Sequence, residues 1–252
     1  QTAQTDKICC HLFCKNTQKN CHQILPLSWA LYEKMNITQV YLTTDYDTSD
    51  NEERARYQNE TTYIQLFVEE CLRKNKVVLG AFNRLVFSEG GDSTRDFNVV
   101  GNNALPVAIS DTRGELYTLE SERDFHDYYI RKLLEGFQKF DEHFKSTFVS
   151  NLKPLISAKY EGGLNYEKQM ASKPIDGQRI QVVGSYDRKS FKLLVNVYTK
   201  KELLKSIPIF ECEPDMFIVK YEAHKVEIND KSIVVINKVR EKTLEREIAE
   251  FI

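Results

Sequence analysis

The hydrophobic period of this chain changes once, close to residue 150, and that change constrains the fold more than any other feature. Up to about Phe148, short apolar runs alternate with stretches whose apolar residues recur every three or four positions. Beyond Asn151 the punctuation by Pro154, Gly162, Gly163, Pro174 and Gly177 reads as a loop-rich stretch, after which short strand-like runs dominate. Alternation between a period of 2 and a period of 3.6 belongs to α/β layers, whereas closely spaced strands with polar turns belong to antiparallel sheets. The chain therefore reads as two domains: 1–150, of α/β type, and 151–252, a β-rich (α+β) domain closed by a C-terminal helix.

In the first part, Lys7–Phe13 is a short apolar run suited to a buried strand, followed by a polar loop at 14–20 and a helical pattern at 21–35. A second strand starts at Ile37 and ends in the Asp-, Thr- and Ser-rich loop 45–50. The helix at 52–75 carries Tyr57, Ile64, Phe67, Val68, Cys71 and Leu72 on its apolar side. The segment 76–87 is apolar but resolves neither as strand nor as helix. Residues 106–110 and 115–119 predict a hairpin around Asp111-Thr112-Arg113-Gly114. Ser121 and Asp124 resemble a capping box, opening a helix to about 148 that carries Phe125, Tyr129, Leu133, Phe137, Phe140 and Phe144. A parallel start and an antiparallel finish are expected. In the second part, strands are expected at 179–184, 191–198, 207–210, 216–223, 226–228 and 232–236, with a charged helix at 241–251.

Charge and cysteine usage exclude several classes. With 252 residues, 41% hydrophobic and 29% charged, the composition is that of a globular chain, and a net charge of −2 argues against nucleic acid as a partner. No apolar run reaches the ~18 residues of a membrane span. The chain starts at Gln1, not methionine, with no basic, apolar leader, as a processed or a trimmed product would. If a signal has been removed, export to a periplasmic or extracellular site is the expectation, and otherwise the compartment is left open. The sequons at Asn36 and Asn59 are too common to decide the compartment. Six cysteines are too few to staple a chain of this size. Four of them, Cys9, Cys10, Cys14 and Cys21, crowd the start.

That cluster is the candidate chemistry. Cys21 stands near the start of a helix, where free N–H groups favour a thiolate, and it is a candidate redox residue; packing as a small buried side chain is the competing reading. Cys14 and Cys21 are spaced so that a disulfide is permitted. Cys9, Cys10, His11, Cys14, Cys21 and His22 have zinc-ligand chemistry, but neighbouring residues of a strand face opposite ways, so no metal site is assigned. The acidic loop with Asp45, Asp47 and Asp50 lacks the glycine and distal glutamate of a calcium loop and reads as a solvated turn. No phosphate loop, nucleophile elbow or zinc-protease pattern occurs, and no cofactor is implied.

The segment FCKNTQKNCHQILPL, from Phe13 through Leu25-Pro26, and the later segment FNVVGNNALPVAISDTRGELYTLE resemble the thioredoxin superfamily, in particular its extracytoplasmic thiol–disulfide oxidoreductase and redoxin branch. The resemblance covers about residues 7–134. It implies that Cys21 occupies the second cysteine position of the redox motif, with Gln18 in place of the first. It also implies that Pro106 is the proline that is cis in that fold and, with Leu105 and Gln18, borders a groove for an extended protein or peptide client. Glutamine cannot ionise or form a mixed disulfide. The expectation is a redox-degenerate thioredoxin-like protein acting through protein or peptide binding; the alternative is thiol–disulfide chemistry through Cys21, alone or with Cys14.

Overall fold

The computed structural model describes residues 35–252. Cys14, Gln18 and Cys21, together with the strand and helix expected before residue 35, lie outside the described residues. The chain divides into two compact units, one ending at Leu164 and the other running from Asn165 to Ile252.

In the first unit, β2 (Gln39–Thr44), β4 (Arg84–Glu89) and β5 (Ala104–Ile109) form a parallel sheet in the order β2-β4-β5. Two short strands, β1 (Met35–Asn36) and β3 (Val78–Gly80), pair beside it. Helix α1 (Asn51–Asn75) starts where the Asp50 carboxylate accepts the Glu53 N–H at 2.8 Å. It has Glu52 and Glu53 at its positive end and Arg73 and Lys74 at its negative end. Tyr57, Thr61, Ile64, Val68 and Leu72 keep helical spacing and are buried. Helix α2 (Glu122–Phe144) begins with the expected capping box of Ser121 and Asp124. Tyr129, Leu133, Phe137 and Phe140 form its buried stripe.

Helix α2 ends earlier than the sequence suggests, at a left-handed Lys145, and helix α3 (Phe148–Tyr160) follows. The Asp141 carboxylate joins them, accepting the N–H groups of Phe148 and Val149 at 2.8 Å each. Phe148 packs on Phe137 and Phe140, and the Tyr160 hydroxyl donates to the Tyr63 carbonyl at 2.9 Å. Those contacts tie 148–160 to the first unit, so the boundary falls beyond the composition shift at 150. Gly136 permits the close approach of α2 to β4: a Cβ there would lie 2.4 Å from the Phe87 ring.

The hairpin expected at 106–119 does not form. β5 pairs with β4 in parallel, Val86 opposite Pro106, and residues 113–118 make a 3-10 turn. No described peptide bond is cis, so Pro106 stands trans within a strand.

The second unit contains an antiparallel sheet β6-β7-β8-β9, made of β6 (Tyr166–Ile175), β7 (Gln178–Tyr186), β8 (Phe191–Thr199) and β9 (Glu202–Cys212). A second sheet is made of β10 (Lys225–Ile228), β11 (Ser232–Ile236) and β12 (Lys242–Glu247). Ile180, Val182, Phe191, Leu193, Val195 and Val197 of the first sheet share one core with Ile233 and Val235 of the second. Both edge strands of the larger sheet carry a proline, Pro174 and Pro208, and both are bulged.

Two expectations in this unit are overturned. The stretch expected as a strand at 216–223 is helix α4 (Met216–Glu222), because Asp215 accepts the N–H groups of Phe217 and Ile218 and starts a turn. The expected C-terminal helix 241–251 is β12 followed by a 3-10 turn at Ile248–Glu250; pairing to β11 wins over the helix-like spacing of its charges.

Candidate functional site

The carboxyl ends of three parallel strands meet on one edge of the first unit, the place where open α/β sheets bind ligands. Strand alternation decides what lies beneath that edge. Leu85, Phe87 and Glu89 face the same way along β4, so the terminal carboxylate is carried to the buried side with the two apolar residues.

Glu89 is wholly excluded from solvent and wholly satisfied. The hydroxyls of Tyr57 and Tyr128 each donate to it at 2.6 Å, and the Thr112 N–H donates at 2.8 Å. The Lys132 ammonium, also buried, stands 3.4 Å from the carboxylate and donates to the Ser110 carbonyl at 2.6 Å. Burial, together with the negative charge of Glu89, pushes the Tyr57 hydroxyl well above the usual tyrosine range; burial and its bond to Glu89 do the same to Tyr128. Both therefore stay protonated as donors. The cluster joins α1, β4, α2 and the loop after β5.

Above it, the loops after the three strands latch on one another. Arg113 donates to Asp111 at 2.7 Å and to the Thr48 carbonyl at 3.3 Å, and it stands 3.4 Å from Glu53. The hydrogen bond from Arg113 holds the Asp111 carboxyl below its ordinary range. Gly90 threads between them at φ 76°, where a Cβ would come within 3.2 Å of both Asp111 and Thr48. Asp45 and Asp50, two of the three acidic loop residues, are occupied locally: the Asp45 carboxylate accepts the Asp47 N–H at 2.9 Å and Asp50 caps α1. No group of metal-ligating side chains occurs among the described residues.

Two tyrosines stand clear of this frame. Tyr46, in the loop after β2, is 79% exposed, and Tyr117, in the turn after β5, is 82% exposed. Tyr46 is backed by Arg54, whose guanidinium lies 4.1 Å from the ring centre while donating to the Ser49 carbonyl at 2.5 Å. Arg131, paired with Glu115, flanks the Tyr117 turn.

The residues singled out from sequence are placed differently. Leu105 is fully buried in β5 and offers no surface to a client; Pro106 is half-buried beside it, and its carbonyl accepts the Phe97 N–H at 3.0 Å. Cys14, Gln18 and Cys21 lie outside the described residues. Cys71 is buried, and burial followed by neighbouring carboxylates pushes the Cys212 thiol up to about 11. His126 is buried with Tyr63 and Tyr160; its Nδ1 lies 2.8 Å from the Tyr63 hydroxyl, and burial lowers its pKa to about 4.

Glu89 and Lys132 went unmarked in the sequence. The one available signal was the alternation Leu85, Phe87, Glu89, which becomes visible only when 84–89 is assigned as a strand. Among the described residues, no helix is long and apolar enough to cross a membrane. No family model, no curated protein and no solved structure matches the chain.

Proposed function

We propose that the chain is a binding protein whose first unit presents the loops at the carboxyl ends of β2, β4 and β5 to a protein or peptide partner. The observation that carries this reading is the Tyr46–Arg54 pair: an exposed aromatic ring held by a buried guanidinium that is itself tied to the loop backbone. Rigid, exposed tyrosines are the side chains that anchor protein interfaces at low entropic cost. Tyr117 supplies a second anchor on the same edge, and the Arg113 latch with the Glu89 cluster below keeps the loops preorganised.

The experiment is site-specific photo-crosslinking from positions 46 and 117, with position 84, at the opposite end of β4, as control. The reading expects one and the same protein adduct from 46 and 117, none from 84, and loss of the adduct with Arg54→Ala. No common adduct overturns it. The alternative, thiol–disulfide exchange through Cys21 alone or with Cys14, requires fast alkylation of Cys21 in the native protein and loss of activity with Cys21→Ser.

A further inference from the structure

Helix α4 turns its apolar side outward. Val219 and the capping residue Ala223, four positions apart, are its buried contacts and fix which way the helix faces. At 100° per residue, Tyr221 then lies on the opposite side, with Phe217 and Ile218 flanking it. Phe217 is 80% exposed, and Ile218 and Tyr221 are each more than 40% exposed. An outward side made of Phe, Ile and Tyr is the reverse of a surface helix packed on its own core.

The turn between β11 and β12 is pinned against the same helix. The Lys238 N–H donates to the Tyr221 carbonyl at 2.8 Å, and the Thr243 hydroxyl donates to the Glu222 carbonyl at 3.1 Å. This brings Val239, 56% exposed, next to Tyr221, with the exposed Lys238 and Arg240 on either side of it. Arg240 sits at φ 68°, a conformation that glycine adopts without strain, yet the position carries a cation. Lys225 and Lys242 pair with Glu227 and Glu245, whereas Lys220, Lys238 and Arg240 form no ion pair among the described residues. Of the nearby acids, Asp215 caps α4, the exposed Glu241 accepts from the Asn237 side chain at 3.1 Å, and Glu213 and Glu222 lie near the Cys212 thiol.

Apolar tips rimmed by cations are complementary to an interface that is apolar in depth and anionic at its surface. We propose that the outward side of α4, with the β11–β12 turn, docks on an anionic lipid bilayer. Phe217, Tyr221 and Val239 enter the headgroup region while Lys220, Lys238 and Arg240 meet lipid phosphates. This surface belongs to the second unit and shares no residue with the loop surface of the first, so either can fail alone.

The test is sedimentation of the full chain with phosphatidylcholine vesicles containing phosphatidylserine, and with phosphatidylcholine alone. Expected are binding to the anionic vesicles and its weakening by salt. Phe217→Ser with Val239→Ser, which changes no charge, abolishes binding. Arg240→Gly, which relieves the left-handed strain and so does not lower the Tm, weakens binding about fivefold. Equal binding to both vesicle types overturns the proposal, as does binding that ignores the substitutions. So does a wild-type dimer that Phe217→Ser with Val239→Ser converts to monomer without any vesicle binding, which would assign the face to a second copy.

Discussion

Glu89 and Lys132 stand 3.4 Å apart at the centre of the first unit, 0% and 1% exposed, one from the last position of a parallel strand and the other from the middle of α2. Each also bonds to neutral groups of the other elements, so the pair fastens the carboxyl edge of the sheet to the helices beneath it. Lys132→Met leaves a buried carboxylate with only neutral donors, two tyrosine hydroxyls and the Thr112 N–H, and is expected to cost about 3–5 kcal/mol in urea unfolding. The double variant with Glu89→Gln should recover part of that loss, because no charge then remains buried. A double-mutant cycle measures the coupling, and strictly additive effects would show that the pair is not a unit.

His126 makes the first unit acid-sensitive. The unfolded chain takes up a proton at the ordinary histidine value of 6.5, whereas the buried ring does so at about 4. The unfolded state therefore binds more protons between those values. Stability is fully present above pH 6.5 and falls as pH drops towards 4, by at most about 1.4 kcal/mol per pH unit. His126→Phe should flatten this slope while weakening the protein at neutral pH through the lost partner of Tyr63. Urea midpoints at pH 7.5, 6, 5 and 4 give the comparison.

Gly136→Ala places a methyl group against the Phe87 ring and is expected to destabilise by about 1–3 kcal/mol. Combining it with Phe87→Leu should restore much of the loss. A melting temperature unchanged by Gly136→Ala would mean that α2 stands farther from β4 than described.

Neither described cysteine should behave as a redox thiol. Cys212, with its pKa pushed up to about 11, is expected to alkylate slowly at pH 7.5, and the buried Cys71 only after unfolding. Timed alkylation followed by peptide mass spectrometry resolves each site. Rapid labelling of Cys71 in native protein would contradict its burial.

The sequence was most legible where one residue period persisted over several turns or a full strand. α1 and α2 kept their apolar stripes, and β7 and β8 emerged close to their full lengths. It misled where local preference and tertiary pairing disagree. Met216-Phe217-Ile218-Val219 reads as a strand, yet Asp215 supplies a cap and burial of Val219 with Ala223 suffices for one short helix. Lys242–Glu247 has helix-like charge spacing, but β11 offers a hydrogen-bonding edge that no local signal reveals. The mixed residues of β6 and Pro174 hid an edge strand in what read as a loop. The Glu89 cluster was illegible for a related reason. Tyr57 lies 32 residues before Glu89 and Tyr128 lies 39 after, so strand alternation had to combine with two helix packings before the carboxylate acquired its partners.

The prolines and bulges of β6 and β9 also govern how the second unit behaves in crowded solution. Recruitment of a strand from a neighbouring molecule needs an unbroken row of backbone donors and acceptors along an edge. Pro174 and Pro208 each delete a donor, and the register breaks beside Met170 and Leu204 turn the backbone out of line. The larger sheet is thereby closed to templated cross-β growth at both ends, and aggregation of the folded chain by that route is suppressed.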